Sequence, residues 1–389
     1  MAIRFGVDQI IINNPSWKTS SIGFLTNDAA RTFDQTHSRI ALIKAGFNIT
    51  KLFSPEHGID TKGADGEKMK DGVDPLTNLP IVSLYGEQYA PVEKDLDEID
   101  ILLFDIPDAG TRFYTYLWSM TYYLEAAAKF HKKIIILDRP NPLSGNLAMI
   151  EGPSLDESVA SFIGRFNIPI KHQCSLGELA LYFNTTKGWN ADLEIISCSE
   201  LKRTDLFLAW KQTWIPTSPA IQNFNACLLY PGFCFFEATN VSIGRGTTYS
   251  FEWFGAAWLN MDAIVAVCKN MFSEDLAMEI SSVAFKSNKE KEWLPGIHCT
   301  VKDPENYDAV LNGLLLLKII KDLHPNHFEW APYPTNANPT GKNHLSLLLG
   351  IPNAEVLFDL PLQNWLQKIQ ILLRVDYWKK EIEPYLLYK

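Results

Sequence analysis

The chain has 389 residues, and its 35 basic and 45 acidic side chains give a formal net charge of −10 at pH 7. Hydrophobic residues make up 47% of the chain and charged residues 21%, a balance that excludes a disordered protein, a collagen and a coiled coil. No cluster of basic residues is present, so nucleic acid is not an expected partner.

The cysteines and the N-terminus bear on redox state and compartment. The six cysteines lie at irregular intervals without zinc-site spacing, so we expect free thiols and neither a metal nor a cofactor. The first residues lack the continuous apolar segment of a signal peptide, and no run reaches the roughly 18 apolar residues of a membrane helix. We expect a protein without a membrane span, placed in the cytoplasm, or in the periplasm or exterior if an export signal was removed.

Short apolar runs alternate with amphipathic segments through the first half of the chain. The sequence predicts strands at 21–27, 48–53, 81–85, 99–105 and 132–138, with helices at 38–46 and 115–130. Near-continuous apolar strands that alternate with helices indicate a parallel sheet with both faces covered. The predicted fold class is therefore α/β, with a Rossmann-like, mostly parallel sheet.

The second half is less regular. Its patterns predict a strand at 191–198, a turn-rich stretch from Trp210 to Trp258, a charged surface loop at 286–292, and helices at 176–184, 261–272, 306–323, 362–375 and 377–387. No Gly/Ser linker separates the halves, so we expect them to pack closely. The predicted division is a first domain at 1–155 and a second at 156–389.

Three predicted strands are each followed by ionisable or polar side chains. Glu56 and His57 follow the second strand. Asp105 ends the fourth strand and is followed by Asp108, Arg112, Tyr114 and Tyr116, and Asp138 ends the fifth strand and is followed by Arg139 and Asn141. In an open α/β sheet, ligands bind outside the carboxyl ends of the strands, so these groups predict one binding edge. The alternative is that they cap helices, form turns and make structural ion pairs.

Glu56 stands out within this set because Pro55 and Gly58 frame it in a tight turn. A neighbouring His57 is able to hydrogen-bond a hydroxyl or shift the pKa of the carboxyl group. The glycine-rich signatures of dinucleotide and phosphate binding are missing, as are the G-x-S-x-G and H-E-x-x-H motifs.

A second polar cluster falls in residues 235–252. It contains Glu237, Asn240, Ser242, Arg245 and Glu252, and glycines flank the arginine. Such a density of hydrogen-bonding groups is typical of a site for a hydroxyl-rich or carboxylate ligand. A structural loop that satisfies its own backbone would give the same pattern.

Several long strings resemble one known family. They are L-F-S-P-E-H-G (52–58), D-x-x-D-x-G-x-R-F-Y-T-Y (105–116), L-D-R-P-N-P (137–142), E-G-P (151–153), G-E-L-A (177–180) and T-N-V-S-I-G-R-G-T-T (239–248). On these motifs the chain resembles the exo-β-N-acetylmuramidases of peptidoglycan turnover, the NamZ type. The resemblance implies a Rossmann-like domain packed against a second, smaller α+β domain, with the active site in the cleft between them.

The resemblance also implies an activity and its residues. Family members release terminal N-acetylmuramic acid from the non-reducing ends of cell-wall fragments, and the motif places the catalytic carboxyl on Glu56. The motif positions expected to line the cleft are Asp105, Asp108, Arg112, Tyr114, Asp138, Arg139, Asn141, Glu237, Asn240 and Arg245.

The chemistry leaves several alternatives open. The second carboxyl is Asp108, Asp105 or Glu237, and a separation of about 5–5.5 Å from the first would indicate retention, about 6.5–9.5 Å inversion. A substrate-assisted route through the 2-acetamido group is equally open. An arginine at position 112, 139 or 245 would bind the lactyl carboxylate of muramic acid. The alternative functions are a non-catalytic cell-wall sugar-binding protein and a hydrolase of another amino sugar.

Overall fold

A mostly parallel sheet organises the first half of the chain in the computed structural model, which describes residues 3–271, 277–286 and 292–389. The strands in those ranges are β1 (Ile22–Thr26), β2 (Ile49–Ser54), β3 (Gly72–Val73), β4 (Pro80–Ser83), β5 (Ile101–Asp105), β6 (Lys133–Leu137), β7 (Glu151–Ser154), β8 (Pro169–Lys171), β9 (Leu193–Ile196), β10 (Trp253–Gly255), β11 (Met278–Phe285) and β12 (Leu294–Val301). The five strands predicted in the first half are all present, each within a few residues of its expected bounds.

The order of the large sheet confirms the predicted fold class. Among the described residues it has seven strands, in the order β3-β4-β2-β1-β5-β6-β9, and every neighbouring pair is parallel except β3 with β4. The chain leaves β1 first toward β2 and β4, and later returns to the other side of β1 with β5. The carboxyl ends of β1 and β5 therefore frame a topological switch point, where ligands of such sheets bind.

The helices cover both faces of this sheet. They are α1 (Gly6–Asn13), α2 (Ser38–Lys44), α3 (Glu93–Leu96), α4 (Thr115–Lys129), α5 (Leu176–Thr186), α6 (Phe224–Phe233), α7 (Met261–Met271), α8 (Ala309–Leu323), α9 (His344–Leu349), α10 (Leu362–Leu372) and α11 (Asp376–Ile382). Along β5, Leu103 packs in one hydrophobic cluster with Val7 of α1, while Leu102 packs in another with Leu117 of α4. Alternate strand residues thus enter cores on opposite faces, as a doubly covered sheet requires.

The second half adds a smaller antiparallel sheet and a group of helices. Strand β12 pairs with both β10 and β11 in antiparallel register. The hydrophobic cluster that contains Leu102 continues through Phe233 of α6 to Leu314 of α8 and Trp365 of α10, so the two halves share one core. This continuity confirms that they pack closely.

The stretch from Trp210 to Trp258 is largely made of turns, as expected, but it also contains a helix that was not expected. This is α6, whose last turn includes Pro231 and Gly232. That pair favours a turn in an isolated sequence, and burial of the surrounding apolar residues overrides the preference. Residues 287–291 of the charged run lie outside the described residues.

Two further expectations concern the domain division and the membrane. Strand β9 belongs to the large sheet although it lies beyond residue 155, so the sheet extends across the predicted division at 155/156. That division stays a prediction. Within the described residues, no helix combines the length and apolar character that crossing a membrane requires.

Helices α6 and α8 cross at two glycines. A Cβ added to Gly232 would lie 1.8 Å from the carbonyl oxygen of Ala309, and one added to Gly313 would lie 2.1 Å from the carbonyl oxygen of Gly232. Side chains are therefore excluded at this crossing. The contact matters for the site described below, because the 3₁₀ turn Cys234–Ala238, which carries Glu237, follows directly from α6.

We predict that Gly313→Ala lowers the free energy of unfolding by roughly 1–3 kcal/mol, the usual effect of overpacking a core. Urea denaturation would measure it, with Gly72→Ala as the matched control because a Cβ there meets no atom within 4 Å. Alanine is a better helix former than glycine by about 1 kcal/mol, so a gain in stability for Gly313→Ala would contradict the close crossing.

Candidate active site

A pocket between the two halves of the chain brings together three acidic side chains, Glu56, Asp65 and Glu237. It lies beyond the carboxyl end of β2 and the first turn of α4, facing α9 and the loop before β10. The polar groups lining it are Glu56, His57, Asp65, Tyr85, Tyr114, Thr115, Ser218, Tyr230, Cys234, Glu237, Arg245, Tyr333, Thr335 and His344. Five predicted site residues meet here: Glu56, His57, Tyr114, Glu237 and Arg245.

Glu56 is held rigidly at the floor of this pocket. Its side chain is only 4% exposed. One carboxyl oxygen accepts a hydrogen bond from the backbone N–H of Gly66 at 2.9 Å, and the other accepts one from the Thr115 hydroxyl at 2.6 Å. Gly66 has a φ of +67°, and a Cβ there would lie 2.7 Å from the Thr335 side chain, so glycine is needed at this position.

The environment of Glu56 favours its protonated form. Burial raises the pKa of this carboxyl group, His57 opposes the rise, and the nearby charge of Asp65 adds to it. The net shift is upward from the ordinary value. Glu56 therefore keeps its proton at pH values where an exposed glutamate has lost it, which suits a general acid.

His57 occupies a left-handed backbone position with a φ of +67°. Its Nδ1 lies 2.9 Å from the carbonyl oxygen of Gly63. A carbonyl oxygen only accepts hydrogen bonds, so Nδ1 carries a hydrogen and Nε2 is the ring nitrogen left for other partners.

The sequence analysis missed several residues of this site, namely Asp65, Thr115, Tyr333 and His344, and Asp65 is the one that adds a carboxyl group. Its Oδ2 accepts a hydrogen bond from the Tyr333 hydroxyl at 2.8 Å and lies 3.5 Å from Nη2 of Arg245. Burial acts to raise the pKa of Asp65, but Arg245, His57 and the Tyr333 hydrogen bond outweigh it, so the pKa falls below its ordinary value. Asp65 is therefore ionised where Glu56 is protonated.

Glu56, His57 and Asp65 form a compact trio. Each offers one oxygen or nitrogen, and these three atoms lie within 4.8 Å of one another; it is the one group among the described residues whose geometry resembles a metal site. Both oxygens of Glu56 already accept hydrogen bonds, and its raised pKa favours a neutral carboxyl, which is a poor metal ligand. The arrangement fits acid–base chemistry better than metal binding.

The positive charge of Arg245 offsets the negative charges of Asp65 and Glu237 in this site. Its guanidinium donates a hydrogen bond to Glu237 and also faces Asp65, so it lies between two carboxylates from different halves of the chain. His344 adds a contact of 3.1 Å from its Nε2 to Glu237, and the ring of Tyr333 stacks on His344 at 4.7 Å. Glu237 is thereby engaged on both oxygens.

The predicted tyrosines play different parts. Tyr114 lines the pocket, and its hydroxyl donates to Oγ1 of Thr217 at 2.6 Å. Tyr116 is fully buried, and its hydroxyl donates to the carbonyl oxygen of Thr217 at 2.6 Å. The two rings pack edge-to-face at 4.8 Å and both bind Thr217, but Tyr116 does not line the pocket.

Arg112 lies away from the pocket although it was predicted to bind substrate. It is fully buried and donates to the carbonyl oxygens of Pro153, Ile168 and Leu348 at 2.7, 3.0 and 2.9 Å. The guanidinium ties three chain segments together, so it is not placed to meet a ligand carboxylate in the pocket.

The groups after β5 and β6 also have structural partners. Asp105 and Arg139 form a buried ion pair with two hydrogen bonds. Asp138 accepts hydrogen bonds at the start of α5, from the Ser175 hydroxyl at 2.6 Å and the N–H of Gly177 at 2.8 Å, and burial raises its pKa to about 6. Asp105, Asp138 and Arg139 therefore form structural hydrogen bonds at the carboxyl end of the sheet, and none of them lines the pocket.

The other predicted residues lie outside the pocket as well. Asn141 closes its own turn by accepting from the N–H of Leu143. Asn240 is exposed and bonds the backbone of His327 and Glu329, Ser242 pairs through its backbone with Gly255, and Glu252 accepts hydrogen bonds from Asn223 and Asn225. Asp108 lines a different cavity, near Phe5 and Trp214. The structural alternative therefore describes Asn141, Asn240, Ser242 and Glu252 better.

Similarity to known proteins covers both halves of the chain. The family described as exo-beta-N-acetylmuramidase NamZ, N-terminal, matches residues 22–225, and its C-terminal counterpart matches residues 228–388. The peptidoglycan beta-N-acetylmuramidase NamZ of Bacillus subtilis (strain 168) is 34% identical over 331 residues, which are 84% of this chain and 80% of that protein.

Two crystal structures are similar over the whole length. Both are DUF1343 family proteins from Bacteroides fragilis NCTC 9343, and the similarity covers 100% of this chain and 99% of each of theirs. Their TM-scores are 0.86 and 0.68, and each is 26% identical in sequence. The two-part architecture is therefore shared with solved proteins.

We predict that Arg245→Met raises the pKa of Asp65, because it removes the strongest of the interactions that lower that pKa. A ¹³C NMR titration of the side-chain carboxyl groups would measure the change, with Arg245→Lys as the matched control that keeps a positive charge. An Asp65 titration that is the same in wild type and in Arg245→Met would contradict the assigned balance of charges.

Proposed function

The chain belongs to the exo-β-N-acetylmuramidase NamZ family, and we propose that it hydrolyses the bond joining a terminal β-linked N-acetylmuramic acid to the rest of a peptidoglycan fragment. It is a glycosidase. The observation that carries the proposed chemistry is the pair Glu56 and Asp65, two close carboxyl groups whose pKa values are shifted in opposite directions. A non-catalytic sugar-binding role is not favoured, because sugar binding alone does not need such a pair.

Glu56 is the proposed general acid. Its proton would pass to the glycosidic oxygen as the bond to the sugar breaks, which neutralises the charge that develops on the leaving group. Hydrogen bonds from Gly66 and Thr115 fix the carboxyl group, so the proton is delivered in one direction. The same group, once ionised, would activate the water that completes hydrolysis.

Asp65 is the proposed second carboxyl, in place of the three residues considered from the sequence. Asp105 is paired with Arg139, Asp108 lies in another cavity, and Glu237 is engaged by Arg245 and His344. Asp65 stays ionised and lies within 4.8 Å of Glu56, atom to atom. Its negative charge would stabilise the oxocarbenium-like transition state.

We infer retention of configuration at the anomeric carbon, because one atom of the Glu56 carboxyl group lies within 4.8 Å of one atom of the Asp65 carboxyl group. Retaining glycosidases have carboxyl groups about 5–5.5 Å apart, whereas inverting ones need about 6.5–9.5 Å to admit a water. Asp65 would act either as the nucleophile or as the group that orients the 2-acetamido group of the substrate. Both routes pass through a double displacement, so both retain.

Arg245 is the proposed partner of the lactyl carboxylate that distinguishes muramic acid. Among the three arginines considered from the sequence, it is the one that lines the pocket, and its buried Nε has no hydrogen-bond partner. A carboxylate that accepts from this N–H would gain a charge-assisted bond. Arg245 would then both keep Asp65 ionised and recognise the lactyl carboxylate of the substrate.

We predict that Glu56→Gln lowers kcat for a chromogenic N-acetylmuramide by at least about 100-fold, the usual contribution of a general acid. The matched control is Glu67→Gln, an exposed glutamate in the same loop. The release of chromophore and of free N-acetylmuramic acid would be measured for both variants. Wild-type turnover by Glu56→Gln would overturn the assignment.

We also predict that the first product released is the β-anomer, the configuration of the bond that is cleaved. Proton NMR of the anomeric region during the first minutes of reaction would detect it before mutarotation mixes the anomers. Initial appearance of the α-anomer would mean inversion, and the close pair of Glu56 and Asp65 would then have another role.

A further inference from the structure

The active-site pocket has a volume of only about 50 Å³, which is room for a few water molecules. Pockets that hold small organic ligands usually have volumes of about 300–1,000 Å³. A terminal sugar therefore does not fit beside Glu56 while the pocket keeps this shape. Part of its wall has to move before a substrate enters.

The loop between β2 and β3 is the part of the wall placed to move. On its inner side, His57 and Asp65 line the pocket. On its outer side lies an open groove of about 500 Å³, to which the loop contributes Asp60, Thr61 and Lys62. Ser218 borders both spaces. The loop thus lies between the pocket and the groove, and its outward movement would join them.

The middle of this loop is weakly held. Residues 60–68 read DTKGADGEK and contain no large apolar side chain. Among the described residues, the hydrogen bonds of 60–64 stay within the segment 57–67. Exposed segments with few buried apolar contacts open locally at low free-energy cost.

The two ends of the loop are anchored. The carbonyl oxygen of Ile59 accepts a hydrogen bond from the N–H of Asp28 at 2.7 Å, and the N–H of Met69 donates to the carbonyl oxygen of Tyr85 at 2.8 Å. Both anchors lie in the first half of the chain. The segment that is free to move is therefore 60–68.

Asp65 and Gly66 make the contacts that hold this segment against the pocket. Asp65 binds Tyr333 and Arg245, and the N–H of Gly66 donates to Glu56. The carbonyl oxygen of Gly66 also accepts from the backbone N–H of Asn336 at 2.8 Å. The contacts that close the loop are thus the ones that fix Glu56 and place Asp65 beside it.

Asn336 supports the closed position from outside the pocket. Its side-chain amide donates to the carbonyl oxygen of Gly86 at 3.3 Å and to the hydroxyl of Tyr89 at 3.0 Å. Asn336 does not line the pocket. It therefore ties the segment that carries Tyr333 to the first half of the chain without touching the reacting groups.

We propose that residues 60–68 form a lid that opens to admit the terminal sugar and closes over it, and that Asn336 stabilises the closed lid. This inference deepens the proposed function, on which the identity of the sugar rests. Opening withdraws Asp65 and the N–H of Gly66 from Glu56. Closing onto a bound sugar returns both, so the catalytic pair is complete only when the sugar is covered and water is excluded.

The first test uses Cys234 as a reporter, because this thiol lines the pocket and is only 2% exposed. Modification by N-ethylmaleimide is followed by mass spectrometry, and Cys227, which is fully buried and does not line the pocket, reports global unfolding. Local opening of the lid should make Cys234 react about tenfold faster than Cys227, or more.

Asn336→Ala should raise the Cys234 rate about three- to tenfold, the effect of losing one or two hydrogen bonds that favour the closed lid. The Cys227 rate should not change. The matched control is Asn306→Ala, because Asn306 is exposed and its side-chain amide bonds Asp303, away from the lid.

The second test is hydrogen exchange at the amide of Gly66, which is bonded to Glu56 only while the lid is closed. It should exchange about 100-fold faster than the amide of Phe53, which lies inside the sheet on β2. Asn336→Ala should accelerate exchange at Gly66 by the same factor as the modification of Cys234. Saturating N-acetylmuramic acid should slow both rates, because the lid closes over it.

The lid is overturned if Cys234 reacts no faster than Cys227 in the wild type, or if Asn336→Ala leaves either rate unchanged. Should that variant not fold, the comparisons within the wild-type protein, Cys234 with Cys227 and Gly66 with Phe53, decide the question. Failure of the proposed function would look different. Asn336→Ala would still accelerate both rates, but N-acetylmuramic acid would not slow them and a chromogenic muramide would stay intact.

Discussion

The rest of the site depends on the ion pairs that the guanidinium of Arg245 forms with Asp65 and Glu237. The guanidinium lies between Asp65, from the loop after β2, and Glu237, from the turn after α6, and so joins the two halves of the chain at the pocket. Burying charged groups costs free energy unless each is paired, and here one cation serves two carboxylates. The ionised Asp65 in turn helps to keep Glu56 protonated. The charge balance between the two halves at the pocket and the acid–base chemistry therefore depend on the same contact.

Much of the fold could be predicted from the sequence because the parallel sheet is buried on both faces. Its strands read as apolar runs, and β5, at Ile101–Asp105, is a clear example. Helix α6 could not be predicted in this way, because Pro231 and Gly232 favour a turn and only the close contact with α8 explains the glycine. The antiparallel pairing of β11 with β12 depends on contacts between segments that local patterns do not reveal.

The candidate site was predictable in part. Sequence reasoning singled out Glu56 and Arg245, and both line the pocket. It missed Asp65, although Gly63 and Gly66 frame it much as Gly244 and Gly246 frame Arg245. It also placed Asp138 and Arg112 among ligand-binding groups. A buried polar residue needs a partner whether that partner is a ligand or the protein itself, and the sequence alone does not distinguish the two.

The central claim is that the paired carboxyl groups, Glu56 and Asp65, titrate on opposite sides of their ordinary pKa values. The most direct measurement is a ¹³C NMR titration of both carboxyl groups in the wild-type protein, with each signal assigned by comparison with the Glu56→Gln and Asp65→Asn variants. The account predicts that Asp65 loses its proton at a lower pH than an exposed aspartate, and Glu56 at a higher pH than an exposed glutamate. Loss of the Glu56 proton before that of Asp65, or ordinary values for both, would contradict it.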